Sequence, residues 1–495
     1  MIPEQVPADV WLEVFRWLPP DNILHLLATH RTFRYLCRPI LFAHFDFHPY
    51  VARPRDRRLL PFSGFTEQVF FASLFDPPDR LCHPPVQEVC RSLERLNFWS
   101  SDDIAPFVRS CHLSRRLGSR RKRDASDGDK HSPFILLDAF FERLASFTEM
   151  QRLYIDGVCF TPMQAASLSR LSRLTRLDTH ECIVDDHEAF SQVWGLARFS
   201  IRTTGSFTPW ISLLRSDLLR ELEGVELIGE ICILMPTFPN VYKLAASMDF
   251  RTMAQNVTIL SKFPAVQIFE LKAVRMGGMF WESTPLPAGP SPLVLPSNIL
   301  PVLQDYSGAC DTLHIFIPRA TLTRLSTFPC RAENFLRQLA KNPEPTGITS
   351  LKVDSHGEFG AAWFDTLFGF FPHLVELEII FRGVSEATKL LETLVHDRTL
   401  PSLIRLVLSL RPHYRDKSNP RDYVPFRDAL LARCPTLTAL WLWDGINVLW
   451  WRRLTDKTVD QGTQPQSDYK IVNGMLSDFC GTQNPISFPP LRDLY

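Results

Sequence analysis

Leu374-Val-Glu-Leu377-Glu-Ile379, Leu403-Ile-Arg-Leu406-Val-Leu408 and Leu437-Thr-Ala-Leu440-Trp-Leu442 are three copies of one pattern. Each reads apolar, two variable, apolar, one variable, apolar. The last two apolar residues stand two apart, which is the period of a strand burying one face. Ahead of the copies stand Phe371-Pro372, Leu400-Pro401 and Cys434-Pro435. A proline there lacks the N–H a continuing helix needs, so a helix should stop just before each strand begins.

The pattern extends upstream. Copies run Leu93-x-x-Leu96-x-Phe98, Met150-x-x-Leu153-x-Ile155, Leu196-x-x-Phe199-x-Ile201, Val241-x-x-Leu244-x-Ala246, Val266-x-x-Phe269-x-Leu271 and Ile348-x-x-Leu351-x-Val353, with weaker ones centred on Leu177, Leu222 and Leu313. The central residues Leu153, Leu177, Phe199, Leu222, Leu244 and Phe269 lie 22 to 25 residues apart, and the spacing lengthens to 26, 29 and 34 after Leu351. One strand and one helix per step suits a stack of repeats, the longer steps carrying insertions. Helices are expected from Thr161-Pro162 to Leu174, after Asp185-x-x-Glu188, and from Glu386 to Val395 behind Ser385. The pattern predicts an α/β fold: one stack of about twelve parallel strands in chain order, from near Leu93 to the C-terminus, with Phe488-Pro-Pro-Leu491-Arg-Asp-Leu494-Tyr495 as a final edge strand. An ordinary α/β sheet of similar size is the competing reading. The repeats resemble the irregular leucine-rich repeats attached to many F-box proteins, particularly in fungi, although the Asn that closes the usual repeat is mostly missing.

The first forty residues differ. Val10, Val14 and Leu18 share one helical face, Pro7 opens that helix, and Pro19-Pro20-Asp21-Asn22 ends it and starts a second carrying Ile23, Leu26 and Leu27. Arg31-Thr-Phe-Arg-Tyr-Leu36 follows. Three short helices have little room for a private core, so their apolar surface calls for a cover. These residues resemble the F-box. Val6-Pro7 stands at its Leu-Pro, Val10, Val14 and Leu18 at its first-helix apolar positions, Asn22-Ile23-Leu24 and Leu26 in its second helix, and Arg31, Phe33, Arg34 and Leu36 at its closing basic–aromatic–basic–Leu. The resemblance implies an N-terminal three-helix F-box over residues 1–45, a connecting segment over 46–85, and a leucine-rich-repeat solenoid with a curved parallel sheet over 86–495. It also implies binding of a Skp-type adaptor, and through it a cullin, by Pro7, Val10, Val14, Leu18, Ile23 and Leu26.

The chain has 495 residues, with Lys plus Arg at 54 and Asp plus Glu at 54, so no net charge draws it to nucleic acid or an anionic membrane. At 45% hydrophobic it can bury a large core. Proline numbers 39 against 21 glycines, which punctuates the chain with stops rather than hinges. The N-terminus lacks the pattern of a signal peptide, and the 11 scattered cysteines include no Cys-x-x-Cys pair; both fit a cytoplasmic or nuclear protein with reduced, mostly buried thiols. Two excursions break the rhythm, near 110–132 and 276–301. The first carries Arg115-Arg116 and Arg120-Arg-Lys-Arg123, with the residue types of a nuclear localisation signal or of a solvated loop.

No phosphate cradle, nucleophile elbow or His-Glu-x-x-His occurs. His180-Glu181 with Asp185, Asp186, His187 and Glu188, and Asp354 with His356 and Glu358, have metal-ligand residue types, but without matched spacing the loop reading is preferred. No cofactor and no metal are expected. In a solenoid, strand residues between the buried leucines point out of the concave face. Trp441 and Trp443, with Arg405, Glu376 and Glu378 on neighbouring strands, are therefore the candidate target-binding set, unless the Trp450-Trp451-Arg-Arg segment covers the tryptophans. The expected activity is non-catalytic: substrate recognition within an SCF-type ubiquitin ligase, acting on an unidentified protein target. A scaffold that binds the adaptor without ubiquitination is the alternative, and an enzyme hidden in the arc is the third reading.

Overall fold

The computed structural model turns most Leu-x-x-Leu-x-Leu copies into strands of parallel sheet. It describes residues 6–49, 51–52, 81–82, 86–114, 116–117, 134–184, 193–202, 208–226, 235–248, 257–273, 295–341, 347–357, 359–384, 387–395, 402–412, 423–443, 448–452 and 469–472. Two compact units form: Met1–Ala288 with Pro296–Val302, and Gly289–Leu295 with Leu303–Tyr495.

The first unit opens with helices α1 (Ala8–Arg16), α2 (Pro20–Thr29) and α3 (Arg31–Leu41). Pro20 sits where a helix has no use for an N–H, and His30 Nδ1 caps α3 by accepting from the Thr32 N–H at 3.2 Å. Phe15, Ile23, Leu36 and Cys37 are buried between the helices, with Trp11, Leu12, Leu18, Leu26, Leu27 and Phe33 packed around them. Strands follow as β1 (His44–Phe47), β2 (Ser110–Leu113), β3 (Arg152–Asp156), β4 (Arg176–His180), β5 (Arg198–Arg202), β6 (Glu221–Glu226), β7 (Lys243–Met248) and β8 (Ile268–Ala273). Each pairs parallel with the next in chain order.

The second unit repeats this scheme with β9 (Asp305–Gly308), β10 (Arg324–Thr327), β11 (Ser350–His356), β12 (Glu376–Val384), β13 (Arg405–Pro412) and β14 (Ala439–Trp443), again parallel and in order. β15 (Val448–Arg452) and β16 (Tyr469–Val472) then run antiparallel.

Register explains the repeat. Leu153, Leu177, Phe199, Leu222, Leu244 and Phe269 lie side by side on consecutive strands, and all are fully buried. Tyr306, Leu325, Leu351, Leu377, Leu406 and Leu440 form the matching row of the second unit. Burying each such side chain stabilises by roughly 1.5–3 kcal/mol. At every step one carbonyl just before a strand accepts two consecutive N–H groups of the next repeat: Arg109 O from Gln151 and Arg152, Gln151 O from Thr175 and Arg176, Thr175 O from Ala197 and Arg198, and onward to Tyr242 O. In the second unit Gln304, Thr323, Thr349, Val375 and Ile404 do the same.

Several expectations are corrected. The Leu93 copy is helix, Val86–Trp99, because Val89, Leu93 and Leu96 also fit a helical face, and Val89 and Leu96 are buried. The first strand is instead β1, and Ser110–Leu113 is sheet rather than excursion. The Leu313 copy is a helical turn, Leu313–Phe316; the strand there is β9, from Leu303-x-x-Tyr306-x-Gly308. A Cβ on Gly308 would run into the Tyr306 ring, so glycine fills the third apolar position. The last two strands break the parallel rule. The helix after Thr161 ends at Ser169, five residues early, closed at its start by a capping box with Gln164. The expected 488–495 strand, the capping box at 185–188, the Arg120–Arg123 run and most of 276–301 lie outside the described residues.

Candidate functional site

The three N-terminal helices divide the six residues expected at an adaptor interface in two. Pro7, Val10 and Val14 are exposed, the valines at 47% and 43%, while Ile23 is 3% exposed and Leu18 and Leu26 pack against the small core. Ile23 therefore supports the surface rather than forming it. Sequence reasoning left out Trp17, Leu24 and Tyr35, which are 81%, 54% and 72% exposed. Large apolar side chains that open on so small a unit are the mark of an interaction surface.

The sheet's polar face lies opposite the buried leucines. In the first unit its leading row is His44, Ser110, Arg152, Arg176, Arg198, Glu221 and Lys243, one per strand, in register. The next row is Asp46, His112, Tyr154, Asp178, Ser200 and Glu223. The rows hold each other by charge. Arg176 Nε donates to Asp178 at 2.6 Å; Arg198 meets Glu221 and Glu223, each at 3.0 Å; Lys243 meets Glu223 at 2.8 Å. Burial alone would raise the Glu223 carboxyl, but the Lys243 ammonium, with Arg198 and Lys272 nearby, holds it below the ordinary glutamate range. At the far end of β3 and β4, His180 Nδ1 lies 2.9 Å from Asp156 Oδ1. Glu181 brings a third ligand atom within 4.8 Å of both. The sequence had grouped His180 and Glu181 with residues 185–188, which lie outside the described residues.

In the second unit the five target-binding candidates come together on one face of three adjacent strands. Glu376 accepts from Arg405 at 2.8 Å and from the Ser350 hydroxyl at 3.1 Å, and Glu378 meets Lys352 at 2.6 Å. Trp441 pairs with Val407 and Trp443 with Ser409 across β13 and β14, and both tryptophans are half-buried. The backbone of β15 pairs edge to edge with β14, Trp450 opposite Trp441. The sequence matches no known protein-family model and no curated protein.

Deeper on that face, Asp354 is 6% exposed and receives two bonds from Arg382, Nε and Nη2 each at 2.6 Å. Both carboxylate oxygens are thus engaged by arginine, and the Asp354–His356 pair reads as structural. Burial and the nearby Arg331 and Arg382 push the His356 imidazole below its ordinary value. Cys37, Cys111, Cys182, Cys310, Cys330 and Cys434 are buried, Cys90 is exposed, and these seven are free thiols. Among the described residues no helix is long and apolar enough to cross a membrane.

Proposed function

We propose that this chain is a non-catalytic recognition subunit of an SCF-type ubiquitin ligase. The N-terminal helices hold a Skp-type adaptor, and through it a cullin; the polar face around Trp441 and Trp443 takes a protein target. The observation that carries this reading is the set of large apolar side chains, Val10, Val14, Trp17, Leu24 and Tyr35, that stay exposed around a core of four buried residues. The resemblance of Val6–Leu36 to the F-box supplies the partner. Polar rows with half-buried tryptophans on a rigid sheet suit recognition of another protein better than bond chemistry.

Co-purification from cells tests it. With Val10→Asp and Val14→Asp together, each exposed and outside the helical core, adaptor recovery should fall by about tenfold or more, because an interface would bury unpaired carboxylates. Thermal melting should not change. Undiminished recovery would refute the reading. Adaptor captured from wild-type cells without cullin would favour the non-ligase scaffold.

A further inference from the structure

We propose that Asp156, His180 and Glu181 form a zinc site at the ends of β3 and β4. Asp156 and His180 close their strands in register, with the Asp156 Oδ1 and His180 Nδ1 atoms 2.9 Å apart. Each of the three residues offers a ligand atom within 4.8 Å of the others. Around a tetrahedral zinc, with bonds of about 2.0–2.2 Å, neighbouring ligand atoms stand about 3.3 Å apart. Asp156 and His180 therefore need to part only slightly. Glu181 has to swing inward by about 1.5 Å, which an exposed glutamate side chain allows.

The backbone points the same way. In consecutive repeats the residue after the strand is left-handed: Gly157 follows β3 at φ 72° and Glu181 follows β4 at φ 50°. Each donates its N–H to the last carbonyl of the next strand, Gly157 to His180 O at 2.8 Å and Glu181 to Arg202 O at 2.6 Å. After β11 the same place is held by Gly357, at φ 109°. Glycine adopts this conformation freely, whereas a Cβ crowds the following carbonyl. A glutamate kept where the turn favours glycine argues for a use of its carboxylate. Cys182, fully buried, donates from Sγ to Ile155 O at 3.4 Å and to His180 O at 3.3 Å, which ties together the strand ends that carry the ligands. Charge and ligand type select the ion. Asp156 and Glu181 outnumber Arg202, the neighbour of His180 on β5, and Arg176 is already closed on Asp178. Calcium and magnesium favour oxygen ligands, while an imidazole with carboxylates suits zinc. Three protein ligands leave the fourth position to water, and the ion joins one repeat, through Asp156, to the next.

The test is equilibrium dialysis of the full chain against Zn2+ alone, counting bound ions per chain. Histidines and cysteines elsewhere can hold adventitious zinc, so the readout is the difference between wild type and variants. Asp156→Asn, Glu181→Gln and Glu181→Gly should each weaken one equivalent of zinc by about tenfold or more. Ca2+ and Mg2+ at the same concentration should not compete for it. Thermal melting guards against misfolding. Glycine suits the turn, so Glu181→Gly without zinc should melt no lower than wild type. Zinc should raise the wild-type melting temperature by about 2 °C or more and leave that of Glu181→Gly unmoved. Zinc held equally by wild type and all three variants would show adventitious binding only and overturn the site, as would displacement of the zinc by Ca2+ or Mg2+.

Discussion

The polar faces of the two units stand on the same scaffold and use charge differently. In the first unit the charges form a connected net: Lys243 to Glu223, Glu223 to Arg198, Arg198 to Glu221, and Tyr242 to Glu221 at 2.6 Å. In the second, ion pairs bridge neighbouring strands one at a time, Arg405 to Glu376, Lys352 to Glu378 and Arg382 to Asp354, and the row ends in tryptophan. The buried rows are interchangeable in kind: aliphatic or aromatic, two apart, in register. Stacking is thus fixed by the leucine rows and the carbonyl steps, while the polar rows are free to vary.

The largest contrast should come from the deepest pair. Asp354 is held by Arg382 with only 9% of its side chain exposed. Arg382→Ala strands that carboxylate; because 37% of the Arg382 side chain meets water, the cost is about 2 kcal/mol, short of that for a fully buried pair. Denaturant unfolding should record that loss for the second unit. A change within experimental error would mean the pair is solvated and the two faces are electrostatically alike.

A smaller effect, about 1 kcal/mol, is expected where the first unit's net is densest. Glu223 is held below its ordinary value of 4.5 in the folded chain. A depressed carboxyl stabilises the fold fully above its unfolded pKa, and that contribution fades as the pH falls through the folded one. Lys243→Met should therefore lower the melting temperature at neutral pH, and the gap to wild type should close on acidification below about 4.5. A gap that stays constant with pH would show that Lys243 contributes by packing alone.

Much of this architecture was legible in the sequence, for physical reasons that also explain the misses. Leu153, Leu244, Leu351, Leu377, Leu406 and Leu440 announce strands because burial on one face forces the two-residue period. Leu93-x-x-Leu96 deceives because apolar residues three and four apart equally suit a helix, and the deciding residue, Val89, lies upstream of the motif. β1 falls outside the repeat pattern although His44-Phe-Asp-Phe47 alternates strictly, with Phe45 and Phe47 buried. Four residues are a short signal beside an amphipathic helix. β9 hides because Tyr306 and Gly308 share a space elsewhere filled by two aliphatics. On the candidate sites, the sequence placed Trp441, Trp443, Arg405, Glu376 and Glu378 on one face, since strand alternation and register order them. It had no means of separating exposed Val10 and Val14 from buried Ile23, because helical periodicity marks apolar faces without saying which one turns inward.

The smallest effect sharpens the contrast most. Lys352 and Glu378 lie 2.6 Å apart across β11 and β12, with 39% and 25% of their side chains exposed. A pair so accessible to water gains little over hydration, and its net contribution is about 0.5 kcal/mol, less at high salt. Lys352→Met should thus move the melting temperature by only about 1–2 °C, and by less as salt is added. Since Glu378 stays on the surface and loses its partner, the same substitution makes the target face more negative. If that face selects its partner by charge, capture of a basic target should improve while stability hardly changes, and capture of an acidic one should weaken. Binding that follows stability instead would mean that the second unit's ion pairs serve the fold, leaving the tryptophans as its recognition element.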